Sequence, residues 1–210
     1  MNKDLKKYIE DKILPSYEKN DSGHNLEHIN YVIKRSLKFA STIPSINLDM
    51  VYVVAAYHDI GHYVDAKNHE KVSAEMLEND ENLKKYFTLE QIKTMSDAVY
   101  DHRASLEGDP RNIYGKIVSS ADRNTSIISP LKRTYSYRIK HYPNDGIDKI
   151  IEDSREHLLN KFGESGYALD KMYFKDDAYD CFVKDVVALA LDKEEFRKKY
   201  IEINKLELAY

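Results

Sequence analysis

The stretch MVYVVAAYHDIGH, residues 50–62, decides the fold. Its valines would suit a buried strand, but its length and its alanines favour a helix over 48–60. The run is almost wholly apolar until it meets His58 and Asp59, and Gly61 then loosens the chain. An unpaired carboxylate carried into a protein interior is costly, and a bound cation offsets that cost directly. Imidazole nitrogen and carboxylate oxygen together suit Mn²⁺, Fe²⁺, Ni²⁺, Co²⁺ or Zn²⁺, whereas an all-oxygen site suits Mg²⁺ or Ca²⁺ better. Adjacent residues project about 100° apart on a helix, so His58 and Asp59 can ligate one ion together more readily at a helix end, which Gly61 allows.

Helical periodicity continues on both sides of this stretch. Residues 3–14 place Leu5, Tyr8, Ile9, Ile13 and Leu14 on one stripe, and Pro15 is expected to end that helix. Asn20-Asp21-Ser22-Gly23 reads as a turn. A helix follows from about Asn25 to Thr42, with Ile29, Val32, Ile33, Ser36, Leu37 and Ala40 inward, and Pro44 breaks it. A short helix is expected over 69–79. TLEQ at 88–91 is a capping-box pattern that starts a helix bearing Ile92, Met95, Val99 and His102. Residues 112–129 read as helix ended by Pro130, 143–146 (PNDG) as a turn, and 147–162 and 176–203 as amphipathic helices. With seven glycines and five prolines, turns are few and elements long. No convincing period-2 strand, internal repeat or low-complexity linker interrupts this pattern. The expected fold is all-α, a single domain over 1–210 with eight to ten helices, a core at about 20–130 and a C-terminal helical extension at about 131–210.

The 32 basic and 36 acidic residues are intermixed and leave a net charge of −4, which argues against a nucleic-acid or membrane-surface partner. A lone cysteine, Cys181, excludes an internal disulfide framework and a Cys-rich zinc module, and reads as a small buried apolar residue. The opening MNKDLKKYIEDKILPSYE is charged and amphipathic, unlike a secretory leader, and no run is long enough to span a bilayer. A soluble, cytoplasmic protein is expected. The Lys/Glu-rich C-terminus reads as a surface helix with i,i+4 pairs.

Five of the eight histidines (24, 28, 58, 62 and 69) fall in the first third of the chain. Asp122, in SSADRNTS, follows the apolar Ile117, Val118 and Ala121. GHNLEHINYV at 23–32, HDIGH at 58–62 and SADR at 120–123, in that order, resemble the motifs of the HD superfamily of metal-dependent phosphohydrolases, an all-helical fold. The resemblance covers roughly residues 20–130. It implies His28, His58, Asp59 and Asp122 as metal ligands. NHEKVSAEML at 68–77 and YDHRAS at 100–105 resemble the positions where two-metal members supply further histidines, so His69 and His102 would hold a second ion or bind substrate phosphate. One ion and two both remain open. The lysine or glutamate usual near the family's HD motif is His62 here.

The chemistry so implied is hydrolysis of a phosphate ester or anhydride by metal-activated water, acting on a nucleotide or other small phosphorylated metabolite. Asp59, His62 and His102 are the catalytic candidates. Lys67, Arg103 and Arg123, with Arg133 and Arg138 of the basic run 131–142, are candidate phosphate clamps. A solvated basic face is the plainer reading of that run. His24 reads plainly as a turn hydrogen bond, and His141 and His157 as ordinary packing. His58 and His62 have the i,i+4 spacing of zinc proteases but lack the glutamate after the first histidine. The rival classes are a di-iron oxidoreductase and a non-catalytic ligand-binding HD module. A homodimer is compatible with the sequence.

Overall fold

The computed structural model describes residues 1–21, 23–123 and 125–206. Ser22 of the expected turn and Asn124 of the expected 112–129 helix lie outside them. The chain divides into two compact units, Met1–Asp122 and Arg123–Tyr210, so the division falls earlier than the expected edge at 130. Both are helical. Among the described residues there are ten α-helices and no strand, which gives the all-α fold read from the sequence.

The first unit holds α1 (Lys3–Tyr8), α2 (Leu26–Ala40), α3 (Leu48–Tyr57), α4 (His69–Glu78), α5 (Leu89–Tyr100) and α6 (Ile113–Ala121). Side-chain caps start most of them. Asn25 accepts from the N–H groups of Glu27 and His28, Asn47 from Asp49 and Met50, and Asn112 from Gly115. Both bonds of the Thr88–Gln91 capping box are formed. Helix α3 is buried from Met50 to Tyr57 and packs against α2, α4, α5 and α6. An all-apolar helix is stable only in such surroundings. It stops at Tyr57, short of the expected 60, and residues 58–64 are turns.

Pro15 does not end the first helical run. The chain passes from α1 through a π-helical turn (Ile9–Ile13) into a 3₁₀ segment (Leu14–Lys19) whose second residue is the proline. A proline in a first helical turn gives up only an N–H that lacks an intrahelical partner anyway.

The second unit holds α7 (Ile128–His141), α8 (Ile147–Phe162), α9 (Asp177–Leu191) and α10 (Lys193–Asn204). The expected helix over 112–129 is broken after Ala121, and Pro130 sits in the first turn of α7, where it starts a helix rather than ending one. The basic run is thus helix α7. Asp192 splits the expected stretch 176–203, ending α9 while its carboxylate caps the Glu195 N–H at the start of α10. Leu131, Ile150, Leu158, Phe162, Phe182, Phe196 and Tyr200 form the core of this unit. Cys181 is exposed rather than buried, because the inward stripe of α9 runs through Tyr179, Phe182, Val186 and Ala190.

Candidate metal centre

Four segments of the first unit converge on one carboxylate. His28 lies in the first turn of α2, His58 caps the end of α3 with Asp59 after it, His69 opens α4, and His102 follows α5. The Asp59 side chain is 2% exposed. Its Oδ2 lies 3.2 Å from His58 Nε2 and 3.5 Å from His28 Nε2. Its Oδ1 lies 3.2 Å from His69 Nε2 and 3.3 Å from His102 Nε2. Asp122, at the C-cap of α6, brings Oδ1 to 3.2 Å from His28 Nε2.

One device aims three of these rings. Nδ1 of His58, His69 and His102 bonds the carbonyl three residues back, on Ala55, Ala66 and Val99, at 2.8, 3.1 and 2.6 Å. For His58 and His102 the acceptor belongs to a helix's last turn, where carbonyls lack intrahelical partners. With Nδ1–H donating there, the neutral ring presents a lone pair at Nε2. Lone pairs therefore face carboxylate oxygens, acceptor against acceptor. His28 Nε2, His58 Nε2 and Asp59 Oδ1 are buried without a hydrogen bond. Metal–ligand bonds of about 2.0–2.2 Å meeting at about 90–109° put neighbouring donors roughly 3.0–3.5 Å apart. The observed spacings fall in that range, so the residues present fit a divalent transition metal. Asp59 offers one oxygen toward His28 and His58 and the other toward His69 and His102, an arrangement that admits one ion or two.

Without a cation, protons bind these groups instead. Burial works to raise the Asp59 pKa, but His58, His102 and His28 outweigh it and hold the carboxyl well below the ordinary carboxylate range. Burial likewise opposes the His28 imidazolium, yet Asp122 and Asp59 raise its pKa to about 9. Asp122 is held low by His28 and His58 against its own burial, and His69 is raised by Asp59 against its own.

A layer of supporting residues holds the HD turn. The fully buried Tyr17 hydroxyl donates to Ala56 O at 2.9 Å and accepts from the Asp59 N–H at 3.3 Å. Asn20 Nδ2 donates to Asp59 O at 3.1 Å. Gly61 N–H donates to Ser73 Oγ at 2.9 Å, and a Cβ at Gly61 would stand 2.8 Å from Ser73 N and Val72 Cβ. Close approach, more than backbone freedom, explains that glycine. Arg35 Nη1 donates to Ala121 O at 2.9 Å, tying α2 to α6 just before Asp122. One signal for Arg35 was present in the sequence: it follows His28 by seven residues and shares its helix face.

The remaining candidates lie elsewhere. His62 sits beside Asp21 and stacks on His24, with its ring 5.3 Å from that of His69. His24 makes the expected turn contact, Nδ1 to Asp21 Oδ1 at 2.8 Å. Lys67 is exposed, and its carbonyl accepts from Arg103 Nη1 at 3.0 Å. The same Nη1 meets Glu70 Oε2 at 3.0 Å, so Arg103 ties together the segments that carry His69 and His102. In the second unit, Arg123 donates to Lys171 O at 3.3 Å. Arg138 pairs with Asp145 and Asp153 and lies 4.1 Å from the Tyr142 ring centroid. Arg133, Tyr137, Arg138, Ser154 and His157 line a cavity of about 390 Å³ in that unit. His141 packs on Tyr137. No helix among the described residues is long and apolar enough to cross a membrane.

With the site in view, its class can be stated. Residues 25–126 match the sequence model of the HD domain, so the chain contains an HD domain. Among solved structures it is similar to a predicted HD superfamily hydrolase from an uncultured Thermotogales bacterium, at 18% identity over 96% of this chain and 98% of that one, with a TM-score of 0.50. At that identity the likeness speaks for the fold. No curated protein matches the chain.

Proposed function

We propose that the centre around Asp59 hydrolyses a phosphate ester or anhydride of a nucleotide or similar small phosphorylated metabolite. The observation that carries this reading is the set of buried acceptors facing one another, with Nε2 of four histidines ranged about the two oxygens of Asp59 and Asp122 beside His28. His28, His58, Asp59 and Asp122 would hold the metal, with His69 and His102 holding a second ion or meeting phosphate oxygen. A bound divalent metal supplies Lewis acidity and an activated water at neutral pH. The chain's own contribution is placement. The three Nδ1–H bonds fix the rings, the Tyr17 and Asn20 clasp fixes the Asp59 backbone, and Arg103 fixes the two segments that carry His69 and His102. Placement of this kind lowers a barrier by spending ordering entropy before the reaction begins. Similarity to the predicted hydrolase from the Thermotogales bacterium adds an analogy of fold, to which the site geometry gives chemical content.

The test is phosphate release from a panel of nucleotides and sugar phosphates by protein loaded separately with Mn²⁺, Fe²⁺, Co²⁺, Ni²⁺ and Zn²⁺. Release by the wild type that falls to background in Asp59→Ala is expected. No release from any substrate with any metal would overturn the reading. A carboxylate with imidazoles at both oxygens also suits a pair of irons, and the oxidoreductase alternative predicts a coloured, oxygen-sensitive iron protein without phosphatase activity.

A further inference from the structure

The imidazoles do not stop at Asp59. Ring centroids run from His58 to His102 at 5.1 Å, to His69 at 5.4 Å, to His62 at 5.3 Å, to His24 at 3.8 Å, to His28 at 6.0 Å, and back to His58 at 5.5 Å. Six histidines thus form a closed circuit. Four of them surround the deep carboxylate of Asp59. The other two, His24 and His62, turn toward a different one, that of Asp21. His24 Nδ1 lies 2.8 Å from Asp21 Oδ1 and His62 Nδ1 lies 4.0 Å from Asp21 Oδ2. One ligand atom from each of the three residues falls within 4.8 Å of the others.

We propose that Asp21, His24 and His62 form a second, shallower metal site at the rim of the centre, taking one divalent transition-metal ion on two imidazoles and a carboxylate. The donor set selects Zn²⁺, Co²⁺, Ni²⁺ or Fe²⁺ over Mg²⁺ and Ca²⁺. Three protein ligands leave coordination positions open to water or to a phosphate oxygen, as an exchangeable site requires. Its parts are held before any ion arrives. Asp21 Oδ1 also accepts from the Gly23 N–H at 2.8 Å, and the two rings stack with only 22° between their planes. Access differs from that of the deep centre: the Asp21 side chain is 58% exposed, against 2% for Asp59. The rim ion should therefore exchange quickly and the deep metal slowly. In this role His62 is a ligand rather than the catalytic residue expected from the sequence. The assignment does not depend on which reaction the deep centre performs.

The test uses the full chain, stripped of metal and titrated with Co²⁺, with bound metal counted by elemental analysis after fast desalting and by equilibrium dialysis. The wild type should bind one more Co²⁺ at dialysis equilibrium than the triple variant Asp21→Asn/His24→Gln/His62→Gln, and that extra ion should be the one lost on desalting. The single variant Asp21→Asn, at an exposed side chain, should show the same deficit more weakly. Asp59→Ala should lose the slowly exchanging metal and keep the fast one, so failure of the hydrolase reading and failure of the rim site give different results. Equal uptake by the wild type and the triple variant would overturn the proposal. So would loss of every ion from the triple variant with its helical circular dichroism unchanged.

Discussion

The two units differ in how their buried polar groups are met. In the second, buried hydroxyls meet groups of complementary character, and, among the described residues, the two buried nitrogens without a hydrogen bond, Arg123 Nε and Arg138 Nε, belong to guanidinium groups that bond through another nitrogen. Ser154 Oγ meets Tyr200 OH at 2.8 Å, the Tyr179 hydroxyl donates to Ala168 O at 3.2 Å, and Arg155 donates to Ala190 O and Glu152. In the first, acceptors are driven against acceptors around Asp59, and three of those atoms have no hydrogen bond. Buried polar groups in proteins are ordinarily satisfied, so three unsatisfied atoms gathered around one carboxylate mark where a cation belongs. The second unit is held by packing, whereas the first contains a site that packing alone leaves incomplete.

The sharpest way to break the contrast is Asp59→Ala. It should remove tightly bound metal and reduce any metal-dependent hydrolysis to background, as read by elemental analysis and phosphate release. Phe182→Ala should do the reverse. Phe182 is 2% exposed and meets Phe162 edge-on at 5.2 Å, so its truncation should cost about 3–5 kcal/mol in denaturant unfolding while metal stoichiometry stays unchanged. Gly61→Ala forces a methyl against Val72 and the Ser73 backbone, and should cost about 1–3 kcal/mol together with weaker metal binding.

Acidity separates the metal-free and loaded states. The His28 pKa is raised by folding from 6.5 to about 9, so its contribution to the metal-free protein is fully present below pH 6.5 and is lost as pH climbs through about 9. Asp59 and Asp122 are shifted down, so their contribution is present above the ordinary carboxylate pKa and is lost as pH falls. Urea midpoints of metal-free protein should therefore fall between pH 6.5 and 9. Metal competes with the same protons, so stabilisation by added Mn²⁺ should grow over that interval. A flat metal-free profile would show that the His28–Asp122 pair is not formed without a cation. The smallest effect expected is that of Tyr17→Phe, which removes the clasp on Ala56 and Asp59 and should cost about 1–2 kcal/mol with a modest loss of metal affinity.

The helical character of the chain was legible because it is written in local patterns. The apolar stripes and the TLEQ box each act within one or two turns. The residues meeting at Asp59 were legible as an ordered set of motifs, which composition alone would not have gathered. What escaped depends on contacts distant in sequence. Whether Pro15 and Pro130 stop or start a helix is settled by the packing on either side, because proline in a first turn suits both readings. Tyr17 and Ser73 look like ordinary core or stripe residues in sequence, and only their distant partners reveal that they support the site. Cys181 shows the converse: a residue type usually buried stays outside because the stripe of its helix passes it by.

The most direct measurement is X-ray absorption on the full chain loaded with one equivalent of Co²⁺ and desalted to remove rapidly exchanging metal, compared with the Asp59→Ala variant treated in the same way. Nitrogen and oxygen neighbours at about 2.0–2.2 Å, with the outer-shell scattering of more than one imidazole, are expected for the wild type and should vanish in the variant. An oxygen-only shell without imidazole scattering, or a spectrum indifferent to the loss of Asp59, would contradict a metal held between these histidines and that carboxylate.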